Sequence, residues 1–370
     1  MKDRIFGLIK EAEDLRGEAR YVESLKLFKK ALSLSKRHSD LDGILDATLA
    51  IADIYRMTGD FDSAIKNYEE ALEACEALGN KLSAADCMVG MGLSLRAMGM
   101  WKESVKFISA AQKTYGKESD RRGAAFSLWA EAGALRVAGD IGKAIEKFKS
   151  SKTVFSSIND KPGIAYALCG LGGAHRVAGK YKESLKYYTR ANKMFAGLKD
   201  TFGAAYSHCG IGNAHRMANN YREAMRHFKK AGHLYGRIGD IVSYSYTLWS
   251  IANVCKMEGD FAGARASIGT ALKNFKKTKD PRGIIYCDMT LGEIEFMEGK
   301  RARAEKKLLS AFGSASDHGF KLEQCHARAL LMLVNGPYAA GRLTGSAGLA
   351  SCYKKTGVNL KVASIPFNMP

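Results

Sequence analysis

Basic side chains recur at a fixed interval along this chain and could together bind an anionic group. The row consists of Arg16, Arg56, Arg96, Arg136, Arg176, Arg216 and Lys256, each forty residues after the last. All but the last are arginine, whose planar guanidinium group donates paired hydrogen bonds to a carboxylate or a phosphate. A general electrostatic role would be served equally well by lysine. The choice of arginine therefore favours recognition of an anion by a repeated structure.

An aromatic row accompanies the basic row in the middle and later part of the chain. It consists of Phe126, Tyr166, Tyr206, Tyr246 and Tyr286, with Trp129 and Trp249 one helical turn further on and Asn213 and Asn253 between the two rows. Within one helix, the positions of Tyr166, Gly173 and Arg176 fall within an arc of about 80°. One helical face in each repeat is thus predicted to carry rings, amides and cations.

No other set of residues predicts catalysis or metal binding. Two histidines and two cysteines recur forty residues apart: His175, His215, Cys169 and Cys209. The histidines fall on the packing stripe of their helices and the cysteines do not, so the four side chains diverge. The glycine-rich stretch ending at Gly173 resembles a phosphate loop but lies inside a helical pattern, and no P-loop, nucleophile elbow or zinc-protease motif occurs. We therefore predict neither an enzyme nor a bound cofactor or metal.

The elements that position these rows follow from an internal repeat of 40 residues. A glycine marks each unit, and Asn219 takes its place at the one position where it is missing. These marker glycines are Gly59, Gly99, Gly139, Gly179, Gly259 and Gly299. Each marker precedes a stripe of small, bulky and small residues, such as Ala224, Phe228 and Ala231, which lies along one side of a helix. Glycine and asparagine readily adopt a positive φ, so each marker predicts a tight turn between two helices.

Each unit also has a helix start signal, and the array has a predicted end. The N-cap residues recur with the same period: Asp40, Asn80, Asp120, Asp160, Asp200, Asp240 and Asp280. The register decays after residue 316, where Phe320 takes the capping position. We predict a solenoid of about eight helix pairs over residues 1–316 and a degenerate cap and tail over residues 317–370. Within that cap, residues 321–334 and 341–357 are expected to be helical, Asn335-Gly336-Pro337 to end the first helix, and the tail to be extended or strand-like.

This pattern resembles the tetratricopeptide repeat in its long-loop form. The matching residues are Leu171-Gly172, Ala224 with Phe228 and Ala231, and the Gly-Asp or Gly-Lys turns, over roughly residues 3–316. The resemblance implies an all-α, right-handed superhelical solenoid of helix-turn-helix pairs whose first helices line a concave groove. It also implies that basic and Asn side chains in that groove clamp the carboxylates and main chain of extended peptides.

We therefore predict a protein-interaction scaffold or adaptor that binds an acidic or extended segment of another protein in a basic, aromatic-lined groove. The strongest contact candidates are Arg136, Arg176, Arg216, Asn213, Asn253 and Lys256. The full set of candidates is Arg56, Arg96, Phe126, Trp129, Arg136, Tyr166, Arg176, Tyr206, Asn213, Arg216, Tyr246, Trp249, Asn253, Lys256 and Tyr286.

Several alternatives stay open at this point. A basic residue near a helix C-terminus is favoured by the helix dipole, and the tyrosines could simply pack. Acidic neighbours could also neutralise some arginines, namely Asp53, Asp86, Glu131 and Glu293. Nucleic acid could bind the lysine-rich second helices or stack on the tyrosines, and the groove could take a small anionic or aromatic ligand. The tail, Val358–Pro370, could also fold back as a plug or dock into a second copy, since its apolar residues need cover.

Composition places the chain among globular proteins. Hydrophobic residues make up 46% and charged residues 26% of its 370 residues, and the formal net charge of +19 favours acidic proteins, nucleic acid or anionic membrane surfaces as partners. The cysteines within the repeats have no metal-ligand spacing and are expected to be reduced. No secretion signal or membrane-spanning stretch is visible, so a cytoplasmic protein is expected. The partner's identity and the oligomeric state do not follow from the sequence.

Overall fold

The computed structural model describes residues 2–336, 346–358, 360 and 362–370. Over these residues the chain is all-α and contains eighteen helices. Their bounds are α1 Lys2–Gly17, α2 Tyr21–Arg37, α3 Leu41–Thr58, α4 Phe61–Leu78, α5 Lys81–Ala97, α6 Trp101–Lys117, α7 Arg121–Ala138, α8 Ile141–Ser157, α9 Lys161–Val177, α10 Tyr181–Leu198, α11 Thr201–Met217, α12 Tyr221–Ile238, α13 Ile241–Glu258, α14 Phe261–Lys277, α15 Pro281–Met297, α16 Arg301–Asp317, α17 Lys321–Asn335 and α18 Ser346–Lys355.

The repeat signals define the helix ends as expected. All seven predicted N-cap residues cap the odd-numbered helices α3 to α15, and all except Asp40 accept a backbone N–H through the side chain. The marker glycines have φ between 79° and 88°, and Asn219 has 58°. Each marker therefore closes the tight turn within a helix pair, which fixes the angle between the two helices.

Packing within and between pairs uses the small-bulky-small stripe. Phe228 of α12 is fully buried between Ala224 and Ala231, and a Cβ added to Gly212 of α11 would lie 2.7 Å from its ring. The glycine thus lets α11 approach the ring closely. Burying a Phe side chain in this way contributes about 1.5–3 kcal/mol, repeated in every unit.

The helix pairs wind into a right-handed superhelix that is tight enough for successive turns to touch. Trp101 donates to the carbonyl of His318 at 3.0 Å, across 217 residues, and Lys321 bonds to Asp140 at 3.1 Å, across 181 residues. A Cβ at the marker Gly99 would lie 2.6 Å from Cγ of Pro281, so the absence of a side chain allows this contact. One turn therefore takes about five helix pairs, and the inner surface is enclosed on several sides.

The C-terminal part differs from the repeats. Helix α17 follows Phe320, which is fully buried and makes no side-chain cap bond, and it ends at Asn335 as predicted. Pro337 and residues 341–345 lie outside the described residues, and α18 falls within the predicted last helix. A disulfide between Cys325 and Cys352 joins α17 to α18, a pairing that the sequence did not indicate. The division of the chain at residue 316 stays a prediction.

The expectation of strand character in the tail is wrong for its described residues. Residues 362–370 form no strand and instead follow a bent, irregular path from α18 back into the superhelix. Phe367 and Met369 are buried there, in one cluster with Trp249 and Tyr286. Burial of these apolar side chains inside the array, rather than pairing with a neighbouring strand, fixes the path of this segment. None of the described helices combines the length and apolar character that crossing a membrane requires.

Candidate functional site

The first helices of the middle pairs enclose a cavity of about 160 Å³ on the inner side of the superhelix. Seven of the predicted contact residues line it: Arg136, Arg176, Tyr206, Asn213, Tyr246, Trp249 and Tyr286. They come from α7, α9, α11, α13 and α15, so the 40-residue period does bring its groove stripe together around one space. Pro370 lies at the same cavity, so the tail closes one side of it.

Three arginines in the middle of the basic row lack an acidic partner among the described residues. Within the described residues, Arg96, Arg136 and Arg176 form no ion pair, and buried nitrogens of Arg136 and Arg176 have no hydrogen-bond acceptor. The Arg96 guanidinium instead lies over the Trp129 ring, 5.9 Å from its centroid. A half-buried cation without a counter-charge is costly, so this part of the groove has an unbalanced positive charge among the described residues.

Glycines make room for these guanidinium groups. A Cβ on Gly133 would lie 2.1 Å from Nη1 of Arg96, and a Cβ on Gly173 would lie 2.3 Å from Nη1 of Arg136. Each arginine therefore lies against the backbone of the first helix in the next unit, 37 residues further on. The arginine and the glycine form a pair across two repeats, and the pair holds the guanidinium group at the groove surface.

In the middle of the basic row, the neighbouring cations repel one another. The pKa of Arg96 is lowered to about 10 by burial and by the charge of Arg136. The pKa of Arg216 is lowered to about 9 by burial and by the charge of Arg176. Both groups remain protonated at neutral pH, so the folded protein carries a concentrated positive charge in the groove.

Both ends of the row, in contrast, are neutralised. Asp53 lies 2.9 Å from Arg56 and 3.6 Å from Arg16, and although burial opposes it, the charge of Arg56 keeps the pKa of Asp53 below its usual value. Lys256 and Glu293 form a fully buried pair at 2.6 Å. Two of the four acidic neighbours, Asp53 and Glu293, therefore neutralise the ends of the row. The same expectation is wrong for Asp86, which accepts from Tyr115, and for Glu131, which pairs with Lys147.

The residues 37 positions after each basic residue explain which ends of the basic row are neutralised. The positions that follow each basic residue by 37 are Asp53, Leu93, Gly133, Gly173, Asn213, Asn253 and Glu293. The row is acidic at both ends and uncharged between them. This periodic signal was present in the sequence and would have separated the neutralised ends from the charged middle.

Most residues of the aromatic row form hydrogen bonds that join one repeat unit to the next. The hydroxyl groups of Tyr166 and Tyr246 donate to Asp200 and Asp280, the N-cap residues of the next unit, at 2.7 and 2.9 Å. The indole of Trp129 donates to the carbonyl of Tyr166 at 3.2 Å. Trp249 and Tyr286 repeat the indole contact at 3.3 Å. These rings therefore pack against the next unit, as the alternative interpretation proposed. Tyr246, Trp249 and Tyr286 also line the cavity.

The remaining aromatic candidates are more open. Phe126 is 37% exposed and stacks on Trp129 with 5.7 Å between ring centroids. Tyr206 meets the ring of Tyr188 edge to face at 6.2 Å, at the cavity wall. These two side chains offer apolar contact area on either side of the arginine cluster.

The tail occupies the part of the groove next to the cavity. Nη1 of Arg216 donates to the Asn368 side-chain carbonyl at 2.5 Å, and Nη2 donates to the backbone carbonyl of Met369 at 2.7 Å. The amide nitrogen of Asn368 donates back to the Arg216 carbonyl at 2.8 Å. Arg216, Asn253 and Lys256 are all buried, so these three predicted contact residues are covered by the chain itself.

A buried ion pair holds the main chain of the tail. Lys256 Nζ donates to the Phe367 carbonyl at 2.8 Å, and the Phe367 N–H donates to Glu293 at 2.5 Å. Asn213 Oδ1 accepts from Arg216 at 3.1 and 3.2 Å and so orients its guanidinium group. Asn253 is fully buried, and its Oδ1 has no donor among the described residues.

Sequence reasoning missed Arg282, which lines the cavity and pairs with Glu323 at 2.6 Å. Arg282 occupies the start of α15 and lies outside the 40-residue basic row, so periodicity gave no signal for it. The tail residues were also missed as groove contacts, since nothing local in the sequence indicates where an irregular segment docks. No described group of three or more His, Cys, Asp or Glu side chains could hold a metal ion.

Comparison with known proteins agrees with the repeat pattern. The model of the tetratricopeptide repeat family matches residues 8–77, 43–117 and 163–231. The matched stretches therefore contain tetratricopeptide repeats, in agreement with the 40-residue period of the sequence. No curated protein sequence shows significant similarity to it.

Several solved structures share this fold at low sequence identity. A Rap protein complexed with competence and sporulation factor is 12% identical, with a TM-score of 0.59 over 95% of this chain and 100% of that one. The Rap conjugation gene regulator of plasmid pLS20, in complex with the Phr* peptide, is 14% identical, with a TM-score of 0.63 over 85% and 96%. NprR in complex with its cognate peptide NprX is 16% identical, with a TM-score of 0.56 over 91% and 99%. At such identities the likeness concerns the fold.

Proposed function

We propose that this protein binds an extended, acidic peptide segment of a partner in its central groove and acts as an interaction scaffold or adaptor. One observation carries the proposal. Arg96, Arg136 and Arg176 line or flank the groove without a described acidic partner, whereas the ends of the same row are neutralised. A carboxylate supplied by a ligand would relieve the mutual repulsion of these cations and give each of them a charge-assisted hydrogen bond.

The groove also suits the main chain of a peptide. Arg216 and Lys256 donate to backbone carbonyls of the tail, so they are placed to hold the main chain of a peptide without regard to its side chains. Fold relatives of this chain were solved in complex with peptides, which supports the same type of ligand here.

The test is selection of peptides from a phage-displayed library of random heptapeptides on the immobilised full chain. We expect enrichment of Asp and Glu among the selected sequences, and loss of their binding to Arg136→Gln/Arg176→Gln. The matched control is Lys182→Gln/Lys186→Gln, which removes the same charge from two exposed residues on the outer face of α10 and should bind normally.

Two outcomes would contradict the proposal. Peptides without acidic residues that bind the groove variant unchanged would remove the role of the arginines. Binding that is lost only in the α10 variant, and that single-stranded RNA competes away, would move the site to the outer face and favour nucleic acid as the partner.

A further inference from the structure

We infer that segment 365–370 is a resident occupant of the peptide site, displaced by a partner peptide of aromatic–Asn–aliphatic order followed by an acidic residue. This inference rests on the proposed function and names both the ligand class and the regulation of the same groove. It starts from the contacts of three consecutive residues, Phe367, Asn368 and Met369.

The salt bridge between Lys256 and Glu293 binds the main chain of Phe367. Its N–H donates to Glu293 and its carbonyl accepts from Lys256, and these two side chains pair with each other at 2.6 Å. A buried ion pair is tolerated when further hydrogen bonds satisfy its remaining atoms, and here a peptide unit supplies them. Because both contacts involve backbone atoms, they fix the position of the main chain and leave selection at this place to the side chain.

Separate surfaces contact the side chains of the three residues. The Phe367 ring contacts His326 at 5.7 Å between centroids, and Met369 is completely buried in the same apolar cluster as Trp249. Asn368 both accepts from and donates to Arg216, and it donates to Asn219 at 3.1 Å. An amide can donate and accept at once, which a carboxylate or a hydrocarbon side chain cannot do here. The order aromatic, Asn and aliphatic is therefore specific.

The resident segment leaves the charged part of the site unsatisfied. Residues 358–370 include no Asp or Glu side chain, and no described ion pair joins this segment to Arg136 or Arg176, although Pro370 adjoins the cavity that these arginines line. A ligand with an acidic residue after the position of Pro370 would gain an interaction that the resident segment lacks. Displacement needs such a difference, because a covalently attached competitor has a high effective concentration.

The experiment uses the full chain and the labelled, C-terminally amidated peptide Pro-Phe-Asn-Met-Pro-Glu, with amidated Pro-Phe-Asn-Met-Pro-Gln as the counterpart that lacks the side-chain carboxylate. Affinity is measured by fluorescence anisotropy, and hydrogen exchange of residues 362–370 reports release of the segment. We expect the Glu peptide to bind more tightly than the Gln peptide and to raise exchange in this segment of the wild-type chain. This readout needs no variant.

A variant then weakens the resident segment alone. Asn368→Ala removes its bonds to Arg216 and should raise affinity for the Glu peptide about tenfold, because apparent affinity scales with the fraction of competent groove. Asn220→Ala, at an exposed residue without a side-chain cap bond, is the control and should leave affinity unchanged. Thermal unfolding of both variants verifies that they fold.

The outcomes separate this inference from the proposed function. Equal affinity of wild type and Asn368→Ala, with the segment still protected when peptide is bound, overturns the inference. If library-selected acidic peptides still bind through Arg136 and Arg176 in that case, the proposed function stands. If no acidic peptide binds through these arginines, the proposed function fails. Protection of the segment that depends on protein concentration would place it in a second copy and also overturn the inference.

Discussion

The middle and the ends of the basic row have basic residues on the same helical face but opposite electrostatic surroundings. At the far end, Lys256 pairs with Glu293, and Arg282, which lies outside the row, pairs with Glu323. In the middle, Arg136 and Arg176 have no described acidic partner. Position in a repeat therefore does not define the role of a residue, because the partner in the next unit decides it.

This difference distinguishes charges that stabilise the fold from charges that we propose to bind a ligand. A paired cation contributes to folding because its removal leaves a buried acid without a partner. An unpaired cation costs stability, so its presence requires another explanation, and ligand binding provides one. Changes at the neutralised end should therefore alter stability most, and changes in the charged middle should alter it least.

Lys256→Met should destabilise the protein by about 3–5 kcal/mol, since it leaves Glu293 buried without a counter-charge. Glu293 would retain only its bond from the Phe367 N–H. Urea unfolding of the variant measures the loss. The double variant Lys256→Met/Glu293→Gln is the control and should recover most of it. A single variant as stable as the wild type would show that the pair is not a stabilising element.

The neutralised end should also respond to pH through His326. Burial lowers the pKa of His326 to about 4, and Arg282 opposes protonation while Glu323 favours it. Because the folded pKa lies below the unfolded value of about 6.5, stability is complete above pH 6.5 and falls between pH 6.5 and 4, by about 3 kcal/mol in total.

The measurement is the free energy of unfolding as a function of pH for the wild type and His326→Gln. The variant should lack this part of the acid-induced loss, while the contributions of other histidines remain in both proteins. Parallel curves for the two proteins would mean that His326 titrates normally, and that the end of the array is more accessible to water than its burial indicates.

The charged middle should tolerate loss of its cations. Arg136→Gln/Arg176→Gln breaks no ion pair and relieves repulsion along the row, so stability should stay within about 1 kcal/mol of the wild type or rise. Chemical unfolding at low ionic strength is the suitable measurement, because screening is weakest there. A loss above about 2 kcal/mol, comparable to that of a buried packing residue, would assign these arginines a structural role.

The fold was largely predictable, and particular residues show why. A glycine or asparagine every forty residues, an N-cap before each first helix, and stripes such as Ala224, Phe228 and Ala231 are local signals that repeat, so each unit confirms the next. Solenoid units contact mainly their neighbours, which keeps the long-range part of the problem small. The contact of Trp101 with His318 across a superhelical turn had no such signal.

The site was predictable only in part. Periodicity identified Arg136, Arg176 and Asn213, because repeated helices place equivalent residues on one surface. It could not distinguish Tyr166, which braces the next unit, from Tyr206, which lines the cavity, since both have the same register. The position of the tail depends on the packing of Phe367 and Met369 against distant helices, and no local pattern encodes that.

The most direct test of the central claim is a double-mutant cycle between groove and ligand. Calorimetric titration of wild type and Arg136→Gln/Arg176→Gln with a selected acidic peptide, and with its Glu→Gln counterpart, gives the coupling free energy. We expect a coupling of about 1–3 kcal/mol that decreases with added salt, because charge-assisted bonds to the ligand form only when both partners are charged. A coupling of zero, with both peptides bound equally by both proteins, would contradict the claim that the middle arginines exist to bind an anionic ligand.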